Sequence, residues 1–216
     1  MTIKAFIFDL DGTLLNTISD LRDSINLALD YYGYPHFSED EVKLKVGNGM
    51  KRLLERCIPV EKVTNEHVEE VLGVFLGEYK IHQMDKTAPY PGIVDLLHQL
   101  NQRGIPCGVI SNKQNPNTQS IVQHFFSDIA FTFVSGEVAG IDPKPDPTLT
   151  LRCIAAMNLD QDEILYVGDT KVDIATGHNA GLKTVGVTWG FRDRQELVEN
   201  HADFLVDHPI ELLKLL

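Results

Sequence analysis

The stretch Ala5–Thr13, which reads AFIFDLDGT, passes from a short apolar segment directly into two carboxylates. Because side chains two residues apart share one face of an extended chain, Asp9 and Asp11 would lie together just beyond the carboxyl end of a strand. Open α/β sheets bind their ligands at this end. Gly12 allows a tight turn that brings backbone amides close to an anion, and Thr13 adds a hydroxyl donor. Taken alone, the stretch fits a solvated acidic turn or a calcium loop equally well.

Several later segments share the character of the apolar run before Asp9. Each is short, suited to a strand and bounded by polar residues or glycine, which predicts buried parallel strands. Amphipathic stretches with apolar residues at helical spacing lie between them, as expected of crossover helices. This alternation predicts an α/β fold with an open parallel sheet. The predicted strands are 5–8, 108–110, 131–134, 164–167 and 184–187.

One long segment departs from this alternation. From about Ile18 to Met84 the apolar residues recur at helical spacing, and this pattern predicts an all-helical insert. Pro89 and Pro91 mark a hinge where the chain returns to the sheet. We therefore expect an α/β core formed by residues 1–16 and 86–216 and a helical domain formed by residues 17–85.

Polar residues that suit phosphoryl transfer occur near the ends of the later strands. Ser111 and Asn112 can donate hydroxyl and amide hydrogens to phosphate oxygens, and Lys144 lies among three prolines that restrict the backbone. Asp169 and Asp173 bring two carboxylates to a strand-to-helix junction. Each residue alone also fits a turn, a helix cap or a solvated side chain. Their ordered combination indicates a phosphate site, and Asp9 with Asp169 would suffice to anchor Mg²⁺.

Through these residues the sequence closely resembles the haloacid dehalogenase superfamily and, within it, the phosphoglycolate phosphatases. The first family motif matches Asp9–Leu14, the second Ser111, the third Lys144, and the fourth Gly168–Thr170 with Asp173. The resemblance covers almost the whole chain. It implies a Rossmann-like parallel-sheet core with an inserted helical cap, a magnesium cofactor and an aspartyl-phosphate intermediate.

These residues can be given roles in a hydrolysis. Asp9 would attack phosphorus, and Asp11 would first protonate the leaving oxygen and then deprotonate water. Lys144 would neutralise the nucleophile and the phosphoryl oxygens, Asp169 would complete the metal site, and Asp173 would orient Lys144. The resemblance further implies that the backbone carbonyl of Asp11 contacts magnesium. It also implies that the acid at this position favours phosphate esters over haloacids.

The helical insert lies where the family places a mobile cap that excludes water and carries specificity. Its best candidate contact is the segment 46–52, in which Lys51 or Arg52 would pair with a substrate anion such as a carboxylate. A solvated basic pair after a glycine break is about as good an interpretation. Arg192 is a similar candidate in the core.

The leading hypothesis is a phosphatase for small phosphorylated metabolites, with 2-phosphoglycolate as the first substrate by resemblance. Two enzymatic alternatives use the same core, a β-phosphoglucomutase-like isomerase of sugar phosphates and a pyrophosphatase. A non-catalytic binding module is a further alternative of a different class, which the intact set of acids and lysine disfavours.

Composition restricts the remaining classes. The formal net charge of −12 disfavours a surface that tracks nucleic acid. The three cysteines are widely spaced, so we expect neither a disulfide framework nor a cysteine metal site. No run approaches the ~20 apolar residues of a membrane span. We therefore expect a cytoplasmic protein, monomeric or homodimeric, without nucleic-acid or membrane partners.

Overall fold

The computed structural model describes residues 2–47 and 49–216. Their contacts divide the chain into two compact units. We call Met1–Leu15 with Pro89–Leu216 the core unit, and Asn16–Ala88 the helical unit. The sequence placed the two boundaries at 16/17 and 85/86.

The core unit contains a six-stranded, wholly parallel sheet. Its strands are β1 (Ala5–Phe8), β4 (Cys107–Gln114), β5 (Phe133–Glu137), β6 (Ile164–Gly168), β7 (Lys183–Val187) and β8 (Phe204–Val206). The helices of this unit are α5 (Ile93–Gln102), α6 (Asn115–Phe125), α7 (Thr148–Met157), α8 (Lys171–Asn179) and α9 (Arg194–Glu199), and 3₁₀ segments span Gln161–Glu163 and Pro209–Leu215. A separate two-stranded sheet pairs β2 (Leu15–Asn16) with β3 (Ala88–Pro89), where the chain passes between the units.

The strand order β5-β4-β1-β6-β7-β8 places the first strand at the centre. Every residue of β1 is buried, because a parallel sheet is covered on both faces. Phe8 pairs with Val109 on one side and with Val167 on the other. The carboxyl ends of β4, β1 and β6 therefore meet at one edge. The chain fills one side of β1 with β4 and β5 and then crosses to the other side with β6, so the strand order reverses next to β1.

Two predicted strands differ in detail from the observed ones. β4 continues to Gln114, with a shift of register after Ile110, so that Ser111 lies within the strand and not after it. β5 begins at Phe133, because the ring of Phe131 packs against Phe126 instead of joining the sheet. β8 was not predicted.

The helical unit consists of α1 (Ile18–Asp30), α2 (Glu39–Lys45), α3 (Met50–Glu55) and α4 (Asn65–His82), with a 3₁₀ turn at Val60–Lys62. The apolar stripes of α1 and α4 are buried and pack against each other. Buried Asp20 accepts hydrogen bonds from the amides of Lys86 and Thr87, which ties the end of this unit to its beginning. The prediction of an α/β parallel-sheet core with a helical insert is confirmed.

A search of the described residues for a helix long and apolar enough to cross a bilayer finds none.

Candidate active site

Asp9 follows the central strand and is almost completely buried. Its amide donates a 2.9 Å hydrogen bond to the carbonyl oxygen of Val167, which continues the pairing with β6 by one residue. Because β1 is held on both sides, the backbone carries the Asp9 carboxylate to a fixed point at the carboxyl edge of the sheet.

Lys144 is the buried cation beside Asp9. Its Nζ atom lies 2.5 Å from Asp9 Oδ1 and 2.8 Å from Asp173 Oδ1, and it donates to the carbonyl oxygen of Ile110 at 3.2 Å. Burial disfavours the charged form of this lysine, but the carboxylates of Asp173 and Asp9 outweigh burial and raise the pKa of Lys144 well above its usual range. Lys144 is therefore a permanent positive charge next to the candidate nucleophile.

Asn112 holds the backbone of Lys144. Its side-chain oxygen accepts from the Lys144 amide at 2.7 Å, and its side-chain nitrogen donates to the Lys144 carbonyl oxygen at 3.1 Å. The sequence placed this amide among the phosphate ligands. In the structure the side chain of Asn112 fixes the loop that carries Lys144. A contact of Asn112 with phosphate stays a prediction.

The second carboxylate, Asp11, is surrounded by residues of β4. Ser111 Oγ donates to Asp11 Oδ2 at 3.3 Å, and the ammonium of Lys113 lies 3.1 Å from Asp11 Oδ1. We assigned no separate role to Lys113 from the sequence. Ser111 and Lys113 are two residues apart on a strand and share a face, so the spacing argument that paired Asp9 with Asp11 would have found it.

Asp169 and Asp173 lie at the junction between β6 and α8. Asp169 is fully buried and accepts from the hydroxyl of Thr13 at 3.4 Å and from the amide of Phe191 at 2.7 Å. Asp173 Oδ2 accepts from both the amide and the hydroxyl of Thr170, which caps α8. Thr13, expected to contact phosphate, thus points its hydroxyl at Asp169, and its phosphate contact stays a prediction.

The loop after β7 closes against the loops that carry Gly12 and Asp169. The indole nitrogen of Trp189 donates to the carbonyl oxygen of Thr13 at 3.0 Å. Gly190 lies so close to its neighbours that a Cβ atom there would meet the side chain of Asp169 and lie 2.5 Å from the carbonyl oxygen of Gly12. Gly12 itself has a φ of +96°, and a Cβ on it would also overlap Asp169. In this loop the sequence analysis gave a candidate role only to Arg192, and it missed the contacts of Trp189 and Gly190 because they join distant segments.

The buried acids have perturbed proton affinities. Burial raises the pKa of Asp9 well above its usual range, the Lys144 ammonium opposes this rise, and the surrounding aspartates add to it. Burial and the charge of Asp173 raise the pKa of Asp169 to about 7, although the Phe191 amide stabilises its ionised form. Burial and the same acidic surroundings also raise the pKa of Tyr90, a neighbour that sequence reasoning missed. The four aspartates of the site, Asp9, Asp11, Asp169 and Asp173, thus outnumber its two buried lysines, Lys144 and Lys113.

This donor set can hold a metal ion. Asp9, Asp169 and Asp173 each offer a carboxylate oxygen, and these oxygens lie within 4.8 Å of one another. Asp173 is held by the charged Lys144 and by Thr170, whereas the hydrogen-bond donors to Asp169 are the neutral hydroxyl of Thr13 and the neutral amide of Phe191, so Asp169 keeps more of its charge for a cation. Buried carboxylates with excess negative charge suit a hard divalent cation.

Of the predicted specificity residues, Lys51 and Arg52 are exposed on the helical unit, whereas the Arg192 side chain is only 11% exposed. Lys51 and Arg52 begin α3, where Lys51 pairs with Glu69 and Arg52 with Glu55, each at 2.6 Å. Asn48, within the candidate segment 46–52, lies outside the described residues. In the core unit, Arg192 pairs with Glu196 at 3.3 Å. A substrate contact by Lys51, Arg52 or Arg192 stays a prediction.

The site therefore combines a buried aspartate and lysine with two more aspartates at the carboxyl edge of a parallel sheet, where open α/β sheets bind their ligands. A family model for haloacid dehalogenase-like hydrolases matches residues 6–187, a range that contains all the core motifs. The chain belongs to this family, and the prediction that it is a phosphoric monoester hydrolase of the haloacid dehalogenase superfamily is confirmed.

Individual relatives match along their whole length. A phosphoglycolate phosphatase from Haemophilus influenzae is 31% identical over 97% of this chain and 96% of its own. An N-acetylmuramic acid 6-phosphate phosphatase from Pseudomonas aeruginosa is 30% identical over 100% of this chain and 96% of its own. A solved structure from Lactobacillus delbrueckii subsp. bulgaricus, provisionally assigned as a phosphoglycolate phosphatase, is 35% identical with a TM-score of 0.93, over 98% of this chain and 97% of that one.

Proposed function

We propose that this chain is a magnesium-dependent phosphatase that hydrolyses 2-phosphoglycolate to glycolate and phosphate through an aspartyl-phosphate on Asp9. The observation that carries this proposal is the contact of 2.5 Å between Lys144 Nζ and Asp9 Oδ1 at the buried edge of the sheet. A carboxylate is a weak nucleophile, but phosphoryl transfer depends mainly on alignment and on neutralisation of charge. A fixed Asp9 beside a permanent cation meets both requirements.

The first half of the reaction transfers the phosphoryl group to the enzyme. A carboxylate oxygen of Asp9 bonds to phosphorus while the bond between phosphorus and the ester oxygen breaks. Protonated Asp11 gives its proton to the departing glycolate oxygen. Lys144 offsets the negative charge that Asp9 and the phosphoryl oxygens bring together.

The second half returns the enzyme to its starting state. Ionised Asp11 takes a proton from water as the water oxygen bonds to phosphorus. The acyl-phosphate bond breaks and releases inorganic phosphate and the Asp9 carboxylate. Asp11 suits both halves because it lies two residues from the nucleophile and is only partly buried.

Magnesium, when bound, would neutralise charge on the phosphoryl oxygens and align them with Asp9. The carboxylates of Asp9 and Asp169 would hold it, together with the backbone carbonyl of Asp11 that the family resemblance implies. The concentration of buried carboxylates supports this assignment, because a divalent cation compensates the charge that Lys144 leaves.

The substrate assignment has a specific competitor. One relative of nearly the same identity acts, by its name, on N-acetylmuramic acid 6-phosphate. Both candidate substrates combine a phosphomonoester with a carboxylate, so either would suit a basic residue such as Lys51 or Arg52. The isomerase alternative requires a sugar hydroxyl instead of water as the phosphoryl acceptor, and the pyrophosphatase alternative requires phosphate as the leaving group. Neither has a named relative among those described above.

We also propose that the enzyme works in the cytoplasm as a monomer or homodimer. Its three cysteines, Cys57, Cys107 and Cys153, are all buried and unpaired by disulfides, which fits a reducing compartment.

A screen of phosphate esters tests the proposal. The purified chain is assayed with 2-phosphoglycolate, N-acetylmuramic acid 6-phosphate, β-glucose 1-phosphate, pyrophosphate and p-nitrophenyl phosphate, with magnesium and with chelator. We expect the highest kcat/KM for 2-phosphoglycolate, loss of activity in chelator, and a fall of more than about a thousand-fold in Asp9→Asn. Asp95→Asn, which changes an exposed aspartate on α5, is the matched control. Wild-type activity in purified Asp9→Asn would exclude the nucleophile assignment, and a clear preference for another ester would replace the substrate.

A further inference from the structure

Lys113 is a lysine whose side chain is 0% exposed. A charged lysine is almost never fully buried unless its charge is compensated, because removal from water is costly. The compensating carboxylate here is Asp11, whose Oδ1 atom lies 3.1 Å from the Lys113 ammonium. Because burying this cation is costly, its place inside the site indicates a role beside Asp11 in the reaction.

The backbone of Lys113 is held in place on both sides. Its amide donates to Ser111 Oγ at 3.1 Å, and its carbonyl oxygen accepts from the hydroxyl of Thr118 on α6 at 3.2 Å. Gly136 on the neighbouring strand β5 packs directly against it, since a Cβ at that glycine would overlap the Lys113 carbonyl oxygen. Lys113 is thus a rigidly supported residue.

Ser111 and Lys113 together contact both oxygens of Asp11. Ser111 donates a hydrogen bond to Oδ2, whereas the contact of Lys113 with Oδ1 is an ion pair without hydrogen-bond alignment. An ion pair depends less on direction than a hydrogen bond, and the two contacts together restrain both oxygens of the carboxylate. The other buried lysine of the site, Lys144, contacts Asp9 and Asp173. The two acids of the first motif therefore have one lysine each.

We propose that Lys113 is a positioning residue for the acid-base step: its ammonium group, with the hydroxyl of Ser111, holds the ionised carboxylate of Asp11 in one orientation for the half of the reaction in which Asp11 takes a proton from water. The proposal rests on the function proposed above, in which Asp11 transfers the protons. Lys113 forms no bond with the substrate in this account. Its contribution is to kcat, because a freely rotating Asp11 would spend less time aligned with the reacting oxygen.

A double-mutant cycle in the full-length chain tests this role. Lys113→Met keeps the length of the side chain and removes its charge, and Lys113→Gln is a second variant in case the first folds poorly. With 2-phosphoglycolate, or the best ester of the screen, we expect kcat to fall by roughly 10- to 100-fold with KM nearly unchanged. In the Asp11→Asn background the same substitution should cost less than about three-fold, because the carboxylate charge that Lys113 restrains is already absent. Lys183→Met, at an exposed lysine of β7, is the matched control.

Two kinetic results would overturn the proposal. Equal fold losses in the wild-type and Asp11→Asn backgrounds would mean that Lys113 acts independently of Asp11. A rise in KM with unchanged kcat would make Lys113 a substrate ligand.

A crystal structure of Lys113→Met separates this proposal from the proposed function. We expect the Asp11 carboxylate to leave Ser111 or to adopt more than one rotamer. This readout does not require turnover, so it stands even if the wild-type chain hydrolyses no ester of the screen. An Asp11 side chain in its wild-type position would refute the positioning role whatever the activity.

Discussion

The backbone amide of Phe191 donates a 2.7 Å hydrogen bond to Asp169 Oδ2, although the two residues follow different strands. This bond joins the loop after β7 to the candidate metal site. The Trp189 indole reaches the Thr13 carbonyl from the same loop, and Gly190 lies between the two contacts without room for a side chain. Loop 189–191 is therefore part of the site, although it supplies no carboxylate.

The first prediction concerns the space at Gly190. In Gly190→Ala the new methyl group would displace Asp169 or the backbone of Gly12, so we expect magnesium affinity and kcat/KM each to fall by roughly ten-fold or more. Calorimetric titration of the metal-free protein with magnesium measures the first effect. Gly73→Ala is the matched control, because Gly73 lies in α4 with no atom near its missing Cβ and alanine favours a helix. Unchanged magnesium affinity in Gly190→Ala would exclude loop 189–191 from the metal site.

The second prediction concerns the pH dependence of stability in chelator. Asp169 has a pKa of about 7 in the fold and 3.8 as its reference value, so between these pH values the native state keeps a proton that the unfolded chain has lost. The free energy of unfolding should therefore fall as pH rises through this window. Asp169→Asn removes this pH dependence of the free energy of unfolding, and the amide oxygen of the asparagine can still accept a hydrogen bond from the amide of Phe191. We expect the metal-free variant to be more stable than wild type at pH 7.5 by about 1–3 kcal/mol.

Urea unfolding at several pH values between 5 and 8 measures this difference. At pH 7.5 magnesium should make the wild-type protein more stable than Asp169→Asn, because only the wild-type site gains the free energy of metal binding. Parallel stability curves for the two proteins in chelator would contradict the assigned proton affinity of Asp169. Equal stabilisation of both proteins by magnesium would remove Asp169 from the metal ligands.

Much of this architecture follows from local sequence patterns. The run before Asp9 predicted the central strand, and parallel topology predicted that Asp9, Ser111 and Asp169 would meet at one edge, because the carboxyl ends of such strands are aligned. Periodicity of apolar residues likewise predicted the helices α1 and α4. These features depend on spacing along the chain, which a sequence shows directly.

The remaining features depend on how distant loops fold. The side chain of Asn112 binds the backbone of Lys144, and the Trp189 indole binds the backbone of Thr13, so neither contact involves a complementary pair of side chains that a pattern could reveal. The contact of Lys113 with Asp11 was missed for another reason. We ended the predicted strand at Ile110, and the observed β4 continues past it with a shifted register.

The third prediction separates two roles for Asn112. Asn112→Ala removes both hydrogen bonds to Lys144, so we expect the free energy of unfolding to fall by about 1–3 kcal/mol and kcat to fall by roughly ten-fold. Inhibition by inorganic phosphate should change little if the side chain acts through Lys144. A large loss of phosphate inhibition would instead support the original assignment as a phosphate ligand. Asn179→Ala, which removes an exposed hydrogen bond to Pro145 of the same loop, is the matched control.

The last prediction concerns the coupling of Lys144 with Asp173. Their charged groups lie 2.8 Å apart and both are buried, so loss of Lys144 leaves Asp9 and Asp173 without their cation, whereas loss of Asp173 leaves Lys144 paired with Asp9. We expect Lys144→Met to cost about 3–5 kcal/mol of stability in chelator and Asp173→Asn to cost less. The double variant should cost less than the sum by about 2 kcal/mol, since the second substitution removes the charge that the first left unpaired.

An exposed ion pair in the same unit provides the comparison for this double-mutant cycle of Lys144 and Asp173. Arg194 contacts Asp207 at the same distance of 2.8 Å, but both side chains are about half exposed. Its coupling, measured by the same urea titrations, should stay below about 1 kcal/mol because water screens the charges. A coupling between Lys144 and Asp173 as small as that of Arg194 with Asp207 would mean that the site is hydrated. Lys144 would then lose the low-dielectric environment that makes it an effective neutralising charge beside Asp9.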